Sequence, residues 1–140
     1  MKVKIKKLHH AAVIPKYAKG GDACVDLYAV EKHSDDFGNT VFSTGLAFEI
    51  PDGYVGLVFP RSSICKTFHQ LRNSVGVIDS GYRGEVKLVF WADYSASTRY
   101  RVNDRVGQMM ILPYPNIEFE EVNELTDTDR GSGSFGSTGA

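Results

Sequence analysis

Three polar groups in this sequence stand where apolar patterns break, and each is of a type that does chemistry. Asp79 closes the alternating run Val75-Gly76-Val77-Ile78, and Ser80-Gly81 supply turn chemistry before Val86, Leu88 and Phe90 resume the alternation. That pattern predicts a β-hairpin with a carboxylate at its mouth, where exposed backbone groups can hold a planar ligand by its hydrogen-bonding edge. The plainer alternative is a turn aspartate, since Asp is a common hairpin former. Arg61-Ser62-Ser63 follows the strand end Phe59-Pro60 and opens a stretch in which Ile64, Phe68 and Leu71 recur at helical spacing. An arginine, two hydroxyls and the N–H groups of a helix start make an anion site or, more plainly, an N-cap. Gln108 is the polar member of the alternating set Val106, Gln108, Met110 and Leu112. A buried amide needs partners, and neighbouring backbone is the more frequent one.

The elements that must position these groups are short strands. Leu46, Phe48 and Ile50 share one strand face, Pro51-Asp52-Gly53 turns the chain, and Val55, Leu57 and Phe59 share one face of the next strand. Ile117-Glu118-Phe119-Glu120 alternates again. Lys2, Lys4, Lys6 and Lys7 alternate with Val3 and Ile5 as the solvated face of a first strand. Only the segment from Ser62 to Leu71 predicts a helix, of two to three turns with Ser62 and Ser63 at its cap. His69 is expected at the end of that helix. Many short strands and 14 glycines favour an all-β sandwich or jelly roll. One domain, residues 1–122, is expected, long enough to bury roughly two-thirds of its unfolded surface. Residues 123–140 are too polar and glycine-rich to build a core, and are expected to be a mobile arm unless something binds them.

Bulk properties exclude several classes. Sixteen basic and 17 acidic residues leave a net charge of −1, so nothing advertises an electrostatic grip on nucleic acid or an anionic membrane. No apolar stretch approaches the ~18 residues of a membrane span, and no export signal is evident, so a cytoplasmic chain, or one in a host's cytoplasm if viral, is expected. Cys24 and Cys65 are expected as reduced thiols, and no His-x-Glu with a Cys-x-x-Cys partner supports a zinc deaminase.

Five segments, in order, resemble the motifs of the trimeric dUTP pyrophosphatases (dUTPases). Residues 76–85, Gly-Val-Ile-Asp-Ser-Gly-Tyr-Arg-Gly-Glu, resemble the third motif, Pro60-Arg61-Ser62-Ser63 the second, and Arg105-Val106-Gly107-Gln108 the fourth. The tail from Arg130 to Gly139, Arg-Gly-Ser-Gly-Ser-Phe-Gly-Ser-Thr-Gly, is similar almost residue for residue to the fifth. Residues 20–29 resemble the first: Cys24 and Val25 stand where the family commonly has glycine and an aromatic residue, but Asp26-Leu27 is kept. Gly107 stands where alanine is more usual, a change expected to matter little.

The resemblance implies a distorted jelly-roll β-barrel with one short helix and a C-terminal arm. It also implies Mg2+-dependent hydrolysis of dUTP to dUMP and pyrophosphate by in-line water attack on the α-phosphorus, which limits uracil incorporation into DNA and supplies dUMP for thymidylate synthesis. Asp79 would be the general base, and Gln108 would help hold phosphate and attacking water. Arg61, Ser62 and Ser63 would bind phosphates, while Asp26 would support magnesium through water. Asn73 with the main chain of Gly76, Val77 and Ile78 would read the uracil edge, and Tyr82 would pack on the deoxyribose. From the arm, Phe135 would stack on uracil, Arg130 would face the distal phosphate, and Gly136, Ser137 and Thr138 would approach the phosphate oxygens. The family's active unit is a homotrimer with shared sites. Three alternatives stay open: a dCTP deaminase on the same fold, a protein that binds dUTP without turnover, and a structural jelly-roll assembly protein.

Overall fold

A computed structural model describes residues 1–92 and 100–134. Among these residues, ten antiparallel strands form three sheets. β1 (Lys4–Lys7) pairs with β5 (Leu46–Glu49); β2 (Val25–Tyr28), β10 (Arg105–Pro113), β6 (Tyr54–Phe59) and β8 (Gly76–Ile78) form a second sheet in the order β2-β10-β6-β8. β3 (Glu31–Ser34), β4 (Thr40–Ser43), β9 (Lys87–Ala92) and β7 (His69–Leu71) form the third, in the order β3-β4-β9-β7. This is the expected all-β jelly roll.

The core lies between the sheets. Leu27, Val58, Val106 and Met109 come from the β2-β10-β6-β8 sheet, and Phe42, Leu71, Leu88 and Phe90 from the β3-β4-β9-β7 sheet. Phe42, Phe90 and Tyr100 pack edge to face or tilted, with centroids 5.7–6.3 Å apart, the separation at which aromatic quadrupoles attract. The lysines of β1 are exposed while Val3 and Ile5 pack on the core, so the basic cluster is a solvated face.

The predicted helix is much shorter than its spacing implied. Ser62–Lys66 is a five-residue 3₁₀ turn with Arg61 at the N-cap position and no side-chain cap bond. Thr67 ends it: this extended residue donates both its N–H and its hydroxyl to the Ile64 carbonyl, each at 2.9 Å. His69–Leu71 then joins β9, with Leu71 opposite Phe90, and Phe68 is left 55% exposed. Ladder bonds to β9 outcompete a short helix whose β-branched Ile64 and Thr67 already weaken it. His69 therefore opens a buried strand instead of ending a helix.

The Asn73–Val86 segment is a corner, not a simple hairpin. β8 pairs with β6, while β9 pairs with β4 and β7, so the turn between them carries the chain from one sheet to the other. Sequence alternation gives two strands and a turn but does not say which strands they join. The Pro51–Gly53 turn is as expected, with Tyr54 N–H on the Pro51 carbonyl and Gly53 at φ +76°, a conformation that favours glycine. Residues 114–122, including the alternating Ile117–Glu120, form no ladder among the described residues; Phe119 is 89% exposed. No helix among the described residues is long and apolar enough to cross a membrane.

Candidate functional site

A convergence of charged groups lies at one end of the β2-β10-β6-β8 sheet, on the face away from the core. Cross-strand pairing puts Asp26 opposite Gln108 and Gln108 opposite Phe59, and directly paired residues share a face. Arg105 joins them through an irregularity. It lies three positions before Gln108, an odd spacing that in a regular strand would point it to the opposite face. A register shift between Arg105 and Gly107 leaves Arg105 opposite Tyr28 while Gln108 stays opposite Asp26. Tyr28 and Asp26 are two apart and share a face, so the bulge turns Arg105 onto the Asp26 side and buries Val106 completely. The simple alternation of Val106 with Gln108 therefore fails at this point, and the core-facing residue is Met109.

Asp26 is held between two arginines. Arg61 donates from Nε to Oδ1 at 2.7 Å, and Arg105 from Nη1 to Oδ2 at 3.1 Å. Arg61 also donates from Nη1 to the Ser63 hydroxyl at 3.2 Å. Gln108 donates from Nε2 to the Pro60 carbonyl at 3.0 Å, which leaves its amide oxygen as an acceptor. Asp26, Arg61, Arg105 and Gln108 line an open pocket of about 410 Å³ with Ala18, Lys19, Asp22, Ala23, Cys24 and Ser62. Burial, and secondarily the Asp26 carboxylate, push the Cys24 thiol above its ordinary range. The 3₁₀ turn is too short to supply the helix-start anion site expected from the sequence; the positive charge comes from guanidinium groups.

The Asp79 turn lies elsewhere. Ile78 pairs with Gly56 while Gln108 pairs with Phe59, three ladder positions away, or roughly 10 Å along the strands. Asp79 is exposed, and its carbonyl accepts Tyr82 N–H at 3.1 Å. Arg83 braces the turn by donating to the Ser80 carbonyl at 2.6 Å and the Tyr82 carbonyl at 3.0 Å. Ser80 donates to Asp52 at 3.3 Å. Tyr82 is folded back with its hydroxyl on the Glu85 carbonyl at 3.0 Å, and a Cβ on Gly84 would overlap its ring. Asn73 and Gly76 come together: a Cβ at Gly76 would lie 3.6 Å from Asn73 Nδ2. Val77 is 61% exposed, beside the half-buried Gly76 and Ile78.

Among the described residues, then, the structure brings Asp26, Arg61, Ser62, Ser63 and Gln108 to one place and Asn73, Gly76, Val77, Ile78, Asp79 and Tyr82 to another. Arg130 is exposed and bonds from Nε to its own loop at the Gly133 carbonyl, 3.0 Å away. Phe135, Gly136, Ser137 and Thr138 lie outside the described residues. Arg105 is the site residue that sequence reasoning left without a role; its odd spacing from Gln108 hid it, because only the bulge places both on one face. Gly107 also proves more constrained than expected. A Cβ there would overlap the Leu88 side chain and approach the Phe59 carbonyl oxygen at 3.2 Å.

For a divalent ion the pocket offers Asp26 and Asp22 and little else, and no cluster of three or more acidic, histidine or cysteine residues occurs among the described residues. Such a sparse donor set does not cage a metal, but it suits magnesium, which keeps several waters and takes other oxygens from substrate phosphates.

Comparison with known proteins places this geometry in context. The dUTPase family profile matches residues 10–139. The deoxyuridine 5'-triphosphate nucleotidohydrolase of Clostridioides difficile is 39% identical over 139 residues, covering 98% of this chain and 97% of its own. Its counterpart from Nautilia profundicola is 41% identical over 141 residues, covering 99% of each. The Staphylococcus bacteriophage 80alpha dUTPase, solved with dUpNHpp, shares the fold with a TM-score of 0.82 at 24% identity, covering 99% of each chain. A mutant dUTPase from phage phi11 of S. aureus, described with a structural Mg(II) ion, gives 0.73 at 23% identity over 89% of this chain and 98% of its own.

Proposed function

The chain belongs to the dUTPase family and is a dUTP-hydrolysing enzyme; from that premise we propose that it releases dUMP and pyrophosphate by water attack on the α-phosphorus at a site shared between subunits. The observation that carries this reading is the Asp26–Arg61–Arg105–Gln108 cluster, a polar pocket with guanidinium donors that match phosphate oxygens. Arg61, Ser62 and Ser63 bind the phosphate chain. Gln108, with its amide nitrogen committed to the Pro60 carbonyl, presents its oxygen to the attacking water.

Asp79 takes the proton from that water, a role worth about 10²- to 10⁴-fold in rate. It suits the part because its carboxylate is exposed and forms no ion pair among the described residues. Asn73 and the main chain of Gly76, Val77 and Ile78 read the uracil edge. Cytosine presents a donor where uracil has an acceptor, so a site built for uracil leaves unpaired groups with cytosine. Tyr82 packs against the deoxyribose where a 2′-hydroxyl would need room. Residues 123–140 form the arm, from which Phe135 stacks on the base while Arg130, Gly136, Ser137 and Thr138 meet the phosphates.

Magnesium, when bound to the triphosphate, would supply charge neutralisation at the phosphates. Asp26 would support it through water, a role that the sparse carboxylate set fits.

The assembly is a homotrimer. Two observations support an assembly of copies: one chain keeps Asp79 and the Asp26 cluster apart, and the outer sheet face carries an apolar stripe. The stripe pairs Val55 with Leu112 and Leu57 with both Met110 and Val77, giving an association surface beside the pocket. We place the enzyme in the cytoplasm, or in a host's cytoplasm, where it limits uracil incorporation into DNA and supplies dUMP for thymidylate synthesis. Pyrophosphate release from dUTP, dCTP, dTTP and UTP, with and without magnesium, tests the reading. Release from dUTP alone, lost on chelation, is expected; equal release from dCTP or UTP would contradict it.

A further inference from the structure

We infer that Gly84 sets the preference for deoxyribose over ribose, its bare backbone being the seat that fixes the Tyr82 ring. The inference rests on the reading of Tyr82 as the side chain that packs against the deoxyribose, and deepens it by one residue. A side chain excludes a 2′-hydroxyl only if it cannot step aside, so its pose must be locked by its surroundings. Tyr82 is 45% exposed, and burial alone does not lock it.

Three contacts do so instead. The Tyr82 hydroxyl donates to the Glu85 carbonyl at 3.0 Å, and the Tyr82 carbonyl accepts from Arg83 Nη1 at 3.0 Å. The ring itself lies on Gly84. A Cβ built there would overlap the hydroxyl oxygen and stand 2.5 Å from Cζ and 2.9 Å from Cε2 of Tyr82, where carbon atoms need about 3.5 Å. Any side chain at position 84 would therefore drive the ring off its seat by about 1 Å. Displacements of that size cost up to about 10²-fold in rate, and here the cost falls on discrimination between sugars.

The far anchor of the ring is itself tied down. Glu85 accepts the Gly45 N–H on Oε1 at 2.7 Å and lies 3.3 Å from Lys87 Nζ through Oε2, while Val86 N–H bonds to the Leu46 carbonyl at 2.9 Å. The carbonyl that receives the Tyr82 hydroxyl is thus fixed to the start of β5. Gly84 does not have a positive φ, so its backbone conformation is open to other residues. What the glycine provides is space.

The test compares kcat/KM for dUTP and UTP, and affinity for deoxyuridine and uridine, in the full-length protein, Gly84→Ala, Tyr82→Ala and the double variant. The added methyl of Gly84→Ala meets the far end of an exposed side chain, so the fold tolerates it. Gly84→Ala is expected to lower the deoxy-over-ribo ratios at least tenfold. Tyr82→Ala should lower them as far or further, and adding Gly84→Ala to it should lower them no more, because the ring that the methyl displaces is gone. Wild-type ratios in Gly84→Ala beside lowered ones in Tyr82→Ala would overturn the seat and leave the sugar reading standing. Wild-type ratios in Tyr82→Ala would overturn the sugar reading and the inference together. A further loss in the double variant would show that Gly84 acts other than through Tyr82, which also overturns the assignment.

Discussion

The Asp26 cluster and the Asp79 turn are held by different means. Around Asp26, side chains from β2, β10 and the start of the 3₁₀ turn are tied across the sheet by half-buried ion pairs and an amide bond to Pro60. Around Asp79 the side-chain bonds among the described residues are short-range in sequence, from Arg83 and Tyr82 to their own turn, with one longer reach from Ser80 to Asp52. The first region is preorganised by the fold, and its charges are part of the fold's stability. The second keeps an exposed carboxylate on a self-braced turn, which suits a base that must meet a substrate anchored elsewhere. On the proposed reading, another copy brings a complementary half into reach of each of these two regions of the sheet.

That contrast predicts opposite signatures for two aspartate-to-asparagine changes. Asp79→Asn should lower turnover by about 10²- to 10⁴-fold with little change in melting temperature, because Asp79 forms no ion pair among the described residues. Asp26→Asn should lower activity and also destabilise the fold by about 1–3 kcal/mol, since Arg61 loses a charged, half-buried partner. Turnover assays and thermal melts of the two variants together check this; a stable Asp26→Asn or an unfolding Asp79→Asn would erase the distinction.

The next effect is smaller and concerns the bulge. Gly107→Ala should cost about 1–3 kcal/mol by overpacking against the fully buried Leu88 and the Phe59 carbonyl. Denaturant unfolding of Gly107→Ala, Leu88→Val and the double variant should show non-additive recovery in the double. Additive losses would mean that the two side chains do not compete for the same space.

The smallest effect is chemical and leaves the fold alone. Because burial and Asp26 raise the Cys24 thiol, its folded value exceeds the unfolded one, and the folded state holds that proton more tightly. The contribution to stability is therefore full below the unfolded thiol value and is lost as pH rises toward the folded one. In a Cys65→Ser background, alkylation of Cys24 should need a more alkaline pH than a free thiol, and tripolyphosphate in the pocket should slow it further. Labelling at the free-thiol rate, indifferent to the anion, would remove Cys24 from the pocket wall.

Much of this was legible in the chain because strand alternation and turn chemistry are local. The Pro51–Gly53 turn, the lysine face of β1 and the convergence of Asp26, Arg61 and Gln108 all followed from residue order and motif wording. What remained hidden depends on pairing partners. Val75–Ile78 and Val86–Phe90 look like two arms of a hairpin, yet they enter different sheets because β6 and β4 compete for them. Ile64, Phe68 and Leu71 have helical spacing, but the ladder with β9 claims Leu71. The bulge that aims Arg105 has no signature beyond a glycine at position 107, and the neighbour that makes that glycine necessary, Leu88, is nineteen positions away.

The central claim, that the Asp79 turn of one copy serves the Gln108 pocket of another, is tested most directly by complementation. Asp79→Asn and Gln108→Ala chains, each inactive alone, are co-expressed, purified as mixed assemblies and assayed for pyrophosphate release from dUTP. Turnover in the mixed assembly, well above that of either variant by itself, is predicted. Mixed assemblies as inactive as their parents would show that both residues must come from the same chain.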